Sequence, residues 1–333
     1  MVWTIDALDG LGSDGTVSDA ASWLRACAET DAGRPVVLRH GRVLLPLFWR
    51  RRHGLVVAEG LGQDHRSVAG PIGIADGAMP AFGPDDLPQA ADLVDIRRFP
   101  AAYADSLFPS CASRVARFDI ARFKRPLAAD EEAFLATLSS GARKDLRYAV
   151  RRVDRVFGQG AARYEAVTLD AANWRATWEK AAGLSRHSWQ GKARVSVLAG
   201  GEKKVFLEKL MQHGMTVKMH FYCLGDVLAA AAVTMETDEE ILLYAHEYHA
   251  GYAKYQPGHI LNFNIISKAL SDGISVLDFG VGATRHKYEW QCSSESLVRV
   301  LVPLTWKGRL ALAYQKARWR LGDWRRAAKR CEP

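Results

Sequence analysis

The sequence predicts an α/β protein with a mixed sheet, organised as two domains followed by a basic C-terminal helix. Three observations predict it. The chain of 333 residues is long enough for two separate cores. Its second half reads as strand, two helices, three strands joined by tight turns, helix and two strands, which describes a sheet with helices packed on it. Finally, the net charge of +8 is concentrated in two segments, one near the middle and one at the end. An apolar content of 48% with 25% charged residues is that of a soluble globular protein. No apolar run approaches the roughly 20 residues that cross a bilayer. The first residues, MVWTIDALDG, carry acid where a secretory signal carries base, so cytoplasmic residence is expected. The five cysteines are widely spaced and fit neither a disulfide framework nor a zinc pattern, so reduced, mostly buried thiols are expected.

In the first half, Ser18 to Glu29 has helical apolar spacing, with Ala21, Leu24 and Ala28 on neighbouring turns. Pro35 to Arg39 and Arg42 to Arg51 read as strands joined at His40-Gly41. The tract from Gly60 to Gln89 is dense in Gly, Pro, Asp and Ala and reads as loop with short strands. Leu93 to Arg98 and Arg114 to Asp119 are short strands. Asp130 to Thr137 is a helix, and a long basic helix follows Ser139-Ser140-Gly141 and bridges the halves. That bridge carries Arg143, Lys144, Arg147, Arg151, Arg152 and Arg155 against Asp145 and Asp154.

In the second half, Arg163 to Thr168 is a strand, and Ala171 to Trp189 a helix with Trp174, Trp178 and Ala182 spaced four apart. Glu202 to His213 is a helix stopped by Gly214. Thr216 to Leu224, Val227 to Thr237 and Ile241 to His249 are strands, turning at Gly225-Asp226 and Asp238-Glu239. Pro257 marks a helix start, because its missing N–H has no partner there in any case, and His259 to Leu270 is the helix. Gly273 ends it, Ile274 to Phe279 forms the next strand, and Leu297 to Leu304 closes the sheet. A strand feeding a helix that returns to a neighbouring strand leaves free N–H groups and a positive dipole end at Gln256 to Ile260, a seat for a phosphate or pyrophosphate.

Polar residues gather around that seat. His246, Glu247, Tyr248 and His249 end the strand before it; alternation sends either His246 with Tyr248 or Glu247 with His249 into the cleft. The odd spacing of His246 and His249 divides them between faces, and no third ligand is evident, so no metal is expected. Asp278 ends the following strand, where it can orient an amine, hold Lys287 or cap the Phe279-Gly280 turn. Gly280 and Gly282 form too short a pattern for a dinucleotide fingerprint and read as a turn.

These residues carry a resemblance. Tyr255-Gln256-Pro257-Gly258 with Leu261, then Leu277-Asp278-Phe279-Gly280-Val281-Gly282, then His286-Lys287-Tyr288 with Trp290, resemble the GNAT acyltransferase superfamily. Within it they are most similar to the bacterial CelD-like subgroup, related to the FemABX peptidyltransferases. That subgroup has a tyrosine where His286 stands. Leu44-Leu45-Pro46-Leu47 with Arg50-Arg51-Arg52 and Leu61-Gly62 resembles its first domain, and Arg143-Lys144-Asp145-Leu146-Arg147 its linking helix. The resemblance implies two tandem GNAT-like acyltransferase domains. The expected boundaries are a degenerate first domain over 1–138, the basic helix over 139–157, the acyltransferase domain over 158–304 and the tail over 305–333.

The implied reaction moves an acyl group from acyl-CoA to an amine. His246, Glu247, Tyr248, Asp278 and Lys287 are then the candidates for proton transfer and orientation, and Lys254, Tyr255, Gln256, Gly258 and His259 for the donor pyrophosphate. The implied acceptors are an amino sugar of the envelope or a lipid amine, such as a sphingoid base converted to a ceramide. Alternatives are a FemABX-type transferase fed by aminoacyl-tRNA and a non-enzymatic module that binds membranes or polyanions.

The tail carries nine Lys or Arg against Asp323 and Glu332 between Trp306 and Pro333. Trp306, Leu310, Ala313, Ala317, Leu321, Trp324 and Ala328 share one helical face, as in helices that lie in an anionic membrane surface; the alternative is a terminal helix docked by that face. A peripheral position at the inner face of the cell membrane is expected on this ground. No recognised nucleic-acid motif accompanies the charge, so no specific nucleic acid is expected.

Overall fold

The computed structural model describes residues 2–3, 17, 20–31, 33–65, 68–74, 79–87 and 90–330, for 2–3 and 323–330 the backbone only. The chain divides into two compact units. The first is built from Asp31–Ile120 and the chain from Ser296 onward; the second from Ala121–Glu295 and the helix that precedes residue 31.

The first unit begins with β1 (Val2–Trp3), β2 (Arg34–His40), β3 (Val43–Arg52) and β4 (Leu55–Gly60), each antiparallel to the next. β5 (Leu93–Pro100) then lies parallel to β4, and β12 (Ser293–Pro303) antiparallel to β5. The β3–β4 hairpin turns on His53-Gly54, at φ 51° and 79°, the paired left-handed conformation that matches strand twist. β4 was not anticipated from sequence; its residues blend into the Gly-rich tract that follows. Across that tract, the link from β4 to β5 holds among the described residues a 3₁₀ segment, Pro84–Asp86, and two single-residue bridges, Ile72 to Leu44 and Phe82 to Leu107. Ser18, and parts of Gly60 to Gln89, lie outside the described residues. The main core of this unit gathers Trp49, Phe82, Phe99 and Phe108 on one face. On the other, Val57, Leu93 and Leu301 meet Leu312 of α9 (Trp306–Arg330).

α9 docks through Gly308, Leu312 and Trp319 and leaves Trp306, Leu310, Ala313, Ala317 and Leu321 exposed. Gly308 permits the approach, since a Cβ there would stand 1.8 Å from the Asp92 carbonyl oxygen. The apolar face recognised in the sequence is therefore not the docking face; the side chains of Trp324 and Ala328 lie outside the described ones.

The second unit repeats the sheet pattern. β7 (Ala162–Thr168), β8 (Thr216–Leu224), β9 (Val227–Glu236) and β10 (Glu240–Tyr248) run antiparallel in turn, β11 (Val276–Val281) is parallel to β10, and β6 (Val115–Pro126) is antiparallel to β11. Here the parallel crossover carries a full helix, α7 (Pro257–Ser271). In each unit the sixth strand comes from elsewhere in the chain, β12 in the first and β6 in the second.

The helices of this unit are α1 (Ala21–Thr30), α2 (Glu131–Thr137), α3 (Ser140–Phe157), α4 (Trp174–Ser185), α5 (Trp189–Lys192), α6 (Gly201–Gln212) and α8 (Arg285–Glu289). Asp130 and Ser139 cap α2 and α3 by accepting from the Ala133 and Ala142 N–H groups. The basic helix α3 buries Leu146, Ala149 and Val153 against the sheet and α7, so it is part of this unit's core. The single helix expected over Ala171 to Trp189 is broken. Ser188 caps a separate short helix, and the chain doubles back so tightly that a Cβ on Gly191 would stand 1.7 Å from the Ser185 carbonyl oxygen.

A buried ion cluster joins three strands. Arg122 of β6 donates to the Asp278 carboxylate of β11 at 2.9 and 2.6 Å and to Glu240 of β10 at 3.4 Å. Lys124 also pairs with Glu240, whose pKa burial pushes up. Removing one partner of such a cluster leaves uncompensated buried charge. Arg122→Met is expected to destabilise the protein by about 3–5 kcal/mol in urea unfolding, and a loss below about 1 kcal/mol would contradict the cluster's role.

Candidate active site

The site lies where two strands separate. β10 and β11 pair for three residues only, Glu240 with Val276, Ile241 with Leu277 and Leu242 with Asp278. β10 then shifts register against β9 between Leu243 and Ala245 and runs on to Tyr248 without a β11 partner. The gap is met by the first turn of α7. A 3₁₀ segment, Ala250–Tyr255, delivers the chain to Gln256, whose left-handed conformation at φ 53° turns it into Pro257. The His259 and Ile260 N–H groups return to the Gln256 carbonyl. Pro257 has no N–H, and that of Gly258 bonds to none of the described residues.

A cavity of about 490 Å³ occupies this place. β10 contributes His246 and Tyr248, α7 contributes Gln256 to His259 and Asn262, α3 contributes Ala142 and Asp145, and α8 contributes Arg285, His286 and Glu289. Burial pushes the His246 imidazole down to about 4, helped by the neighbouring His286 and His259, while the Gly258 backbone pulls weakly the other way. His286 is pushed down to about 4, by burial first and then by Lys287. Burial also lowers His259, which stacks on Trp290 at 4.6 Å, with Glu289 and Asp145 opposing the shift. The cavity is therefore edged by imidazoles that are uncharged at neutral pH. Two enclosed atoms there, His246 Nε2 and Asn262 Oδ1, have no hydrogen-bond partner among the described residues. Gly258 is required by close approach, since a Cβ would stand 2.7 Å from His246 Nε2.

The candidate residues divide accordingly. His246, Tyr248, Gln256, Gly258 and His259 line the cavity together. Strand alternation sends Glu247 to the opposite face, where it accepts from the Ser188 and Ser196 hydroxyls and ties the loop after α4 to β10. His249 lies outside the cavity, stacked on His187 at 4.8 Å. Tyr255 is buried against Phe157 and Arg152, and Lys254 is exposed with its ammonium 5.0 Å from the Tyr255 ring. Asp278 is occupied by Arg122 and by the Gly280 N–H at 2.8 Å. Lys287 donates to the Gly280 and Val281 carbonyls at 3.2 and 3.0 Å, and burial pushes it down to about 8. Sequence reasoning singled out neither Asn262 nor Asp145, Arg285 or Glu289 as site residues. The available signal was Asn262, a lone amide between Leu261 and Phe263 on an apolar helix.

Residues 140–288 match the family described as the acetyltransferase (GNAT) domain. Over these residues the chain has a GNAT-like fold. The match runs from α3 into α8 and includes the cavity's lining residues except Glu289. No curated protein sequence matches the chain. Among solved structures, FemX superposes with a TM-score of 0.58 at 9% identity, covering 89% of this chain and 94% of its own. A conserved protein of unknown function from Bacteroides thetaiotaomicron gives 0.56 at 13% identity, covering 85% and 89%. The C-terminal domain of a putative lysylphosphatidylglycerol synthetase from Agrobacterium fabrum gives 0.53 at 11%, covering 86% and 89%. At these identities the likeness is one of fold, and it extends over both units.

Two outcomes are expected. Gly258→Ala should drive the His246 ring from its seat and raise its pKa from about 4 toward the ordinary 6.5, read by NMR titration of the imidazole; an unchanged titration would contradict the packing. A histidine held below its unfolded pKa makes the unfolded chain the better proton binder, so stability present above pH 6.5 is lost as pH falls toward the folded value. Urea unfolding should therefore weaken between pH 6.5 and 4, and His246→Gln should flatten that slope by up to about 1.4 kcal/mol per pH unit.

Proposed function

We propose that the GNAT domain is an N-acyltransferase that takes its acyl group from acyl-CoA. The observation that carries this reading is the parting of β10 from β11 beside a helix N-terminus and an uncharged, unpartnered imidazole. A thioester placed in the gap lies next to both elements it needs. The Gly258 N–H and the positive end of α7 face the donor's pyrophosphate. Asn262 Oδ1, buried without a partner, suits an amide N–H of the donor's arm.

In the transfer, the acceptor's amine nitrogen attacks the thioester carbonyl carbon and the C–N bond forms. The nitrogen gives its proton to His246 Nε2, which is free to accept because burial keeps the ring neutral. The tetrahedral intermediate then breaks its C–S bond, and the departing thiolate takes a proton from the Tyr248 hydroxyl or from solvent. His286, equally uncharged, stands as the second proton acceptor, its ring centre 6.4 Å from that of His246.

For the acceptor we propose an amine on a membrane-associated molecule, a sphingoid-type lipid amine or an envelope amino sugar, used at the inner face of the cell membrane. Support for the lipid comes from the exposed apolar row of α9 and from the fold neighbour named as a putative lysylphosphatidylglycerol synthetase. The fold likeness to FemX favours a second reading, transfer from aminoacyl-tRNA.

Thermal denaturation against coenzyme A esters of increasing chain length separates them, because a ligand that binds the folded state raises its stability as ln(1 + [L]/Kd). Stabilisation by at least one ester is expected, graded toward long chains for a lipid product. No stabilisation by any ester, together with an activity lost on RNase treatment, would replace this reading with the tRNA-dependent one.

A further inference from the structure

The docked helix α9 has left its second apolar face unused. Trp306, Leu310 and Tyr314, four residues apart and so stacked on one side, are 67%, 62% and 66% exposed, and Leu321 continues the row at 48%. From Trp306 to Gly322 the helix carries Lys307, Arg309, Lys316, Arg318 and Arg320 and no acid. Burying that row elsewhere in the unit is prevented by the attachment itself, which fixes Gly308 against the Asp92 carbonyl and Leu312 against Val57, Leu93 and Leu301.

Between α9 and the sheet runs a groove of about 890 Å³ whose floor includes Leu55, Val57, Leu93 and Leu301. Its charged lining is predominantly cationic. Arg299 is bound bidentately by Asp95 at 2.7 Å, and Glu59 is taken by Arg50 at 2.7 Å. Arg52 lies 3.7 Å from Glu59 and is half exposed, while Lys307 and Arg318 have no carboxylate at hydrogen-bond distance among the described residues. Cations therefore flank an apolar floor on one side and an apolar helix row on the other.

We propose that α9 and the groove beside it form the face by which this protein lies on an anionic phospholipid bilayer. The helix row enters the boundary between headgroups and acyl chains, and the flanking Lys and Arg meet lipid phosphates. RNA would satisfy the cations but leave Leu310 and Leu321 in water, and an acidic protein partner would bury the row only with an apolar patch of its own. This surface requires neither the acyl donor nor turnover.

The test is sedimentation of the full chain with vesicles of phosphatidylglycerol and phosphatidylcholine, compared with phosphatidylcholine alone. Binding to the anionic vesicles that weakens with added salt is expected. The double variant Trp306→Ser, Leu310→Ser should bind at least roughly tenfold more weakly. Its melting temperature should be unchanged, because both side chains are exposed in the fold. Arg318→Glu should weaken binding and flatten its salt dependence. Equal binding by wild type and double variant, no preference for anionic vesicles, or retention by an RNA oligonucleotide without retention by vesicles would overturn the proposal.

Discussion

The candidate site depends on one clamp. Arg122 holds Asp278 and Glu240, which lie on β11 and β10 at the short stretch where those strands pair. Parallel neighbours ordinarily continue their ladder. Here β10 is bulged after Leu243, and β11 shifts register against β6 between Asp278 and Val281, with Gly280 at φ 67°. The strands are thus fixed together at one end and released from each other at the other. The release creates both the cavity and the stretch of β10 without a β11 partner; the clamp keeps the opening from spreading into the sheet. Charge buried at this cost is justified by position: the guanidinium reaches carboxylates on both strands, which an apolar side chain of similar volume cannot bridge.

The fold was legible where periodicity and punctuation agreed. The β7 to β11 order and the start of α7 at Pro257 follow from turn glycines, apolar runs and the proline. Legibility failed where long-range packing decided. Nothing local in Leu55–Gly60 separates a strand from the glycine-rich tract after it, and the break at Arg186 answers to the Ser185–Gly191 contact. The site divides in the same way. Alternation restricted His246, Glu247, Tyr248 and His249 to two faces, but only the sheet's placement shows that the face of His246 and Tyr248 meets the cavity. Asp278 and Lys287 stand in the recognisable segment, yet their polar atoms are spent on Arg122 and on the Gly280 and Val281 carbonyls. A sequence shows that a charged residue sits at a joint; it does not show what the residue has already bonded.

The two units share a strand pattern and differ in what crosses from their fourth to fifth strands. In the GNAT-like second unit that crossing is α7, with a helix N-terminus set at the gap. In the first unit the described part of the crossing has no α-helix, so a helix N-terminus at this place is described for the second unit. The first unit instead carries a cationic groove and an amphipathic helix with its apolar row outward. On the proposed function, the second copy of the pattern would carry the chemistry and the first would serve in where and on what it is performed.

The central claim is that the parted strands and the first turn of α7 seat the donor. Hydrogen–deuterium exchange with and without coenzyme A measures this most directly, because each segment reports separately. Protection is predicted in peptides spanning 243–248 and 256–262, with the first unit unaffected. Protection confined to other segments, or saturating coenzyme A that leaves both peptides unchanged, would contradict the account.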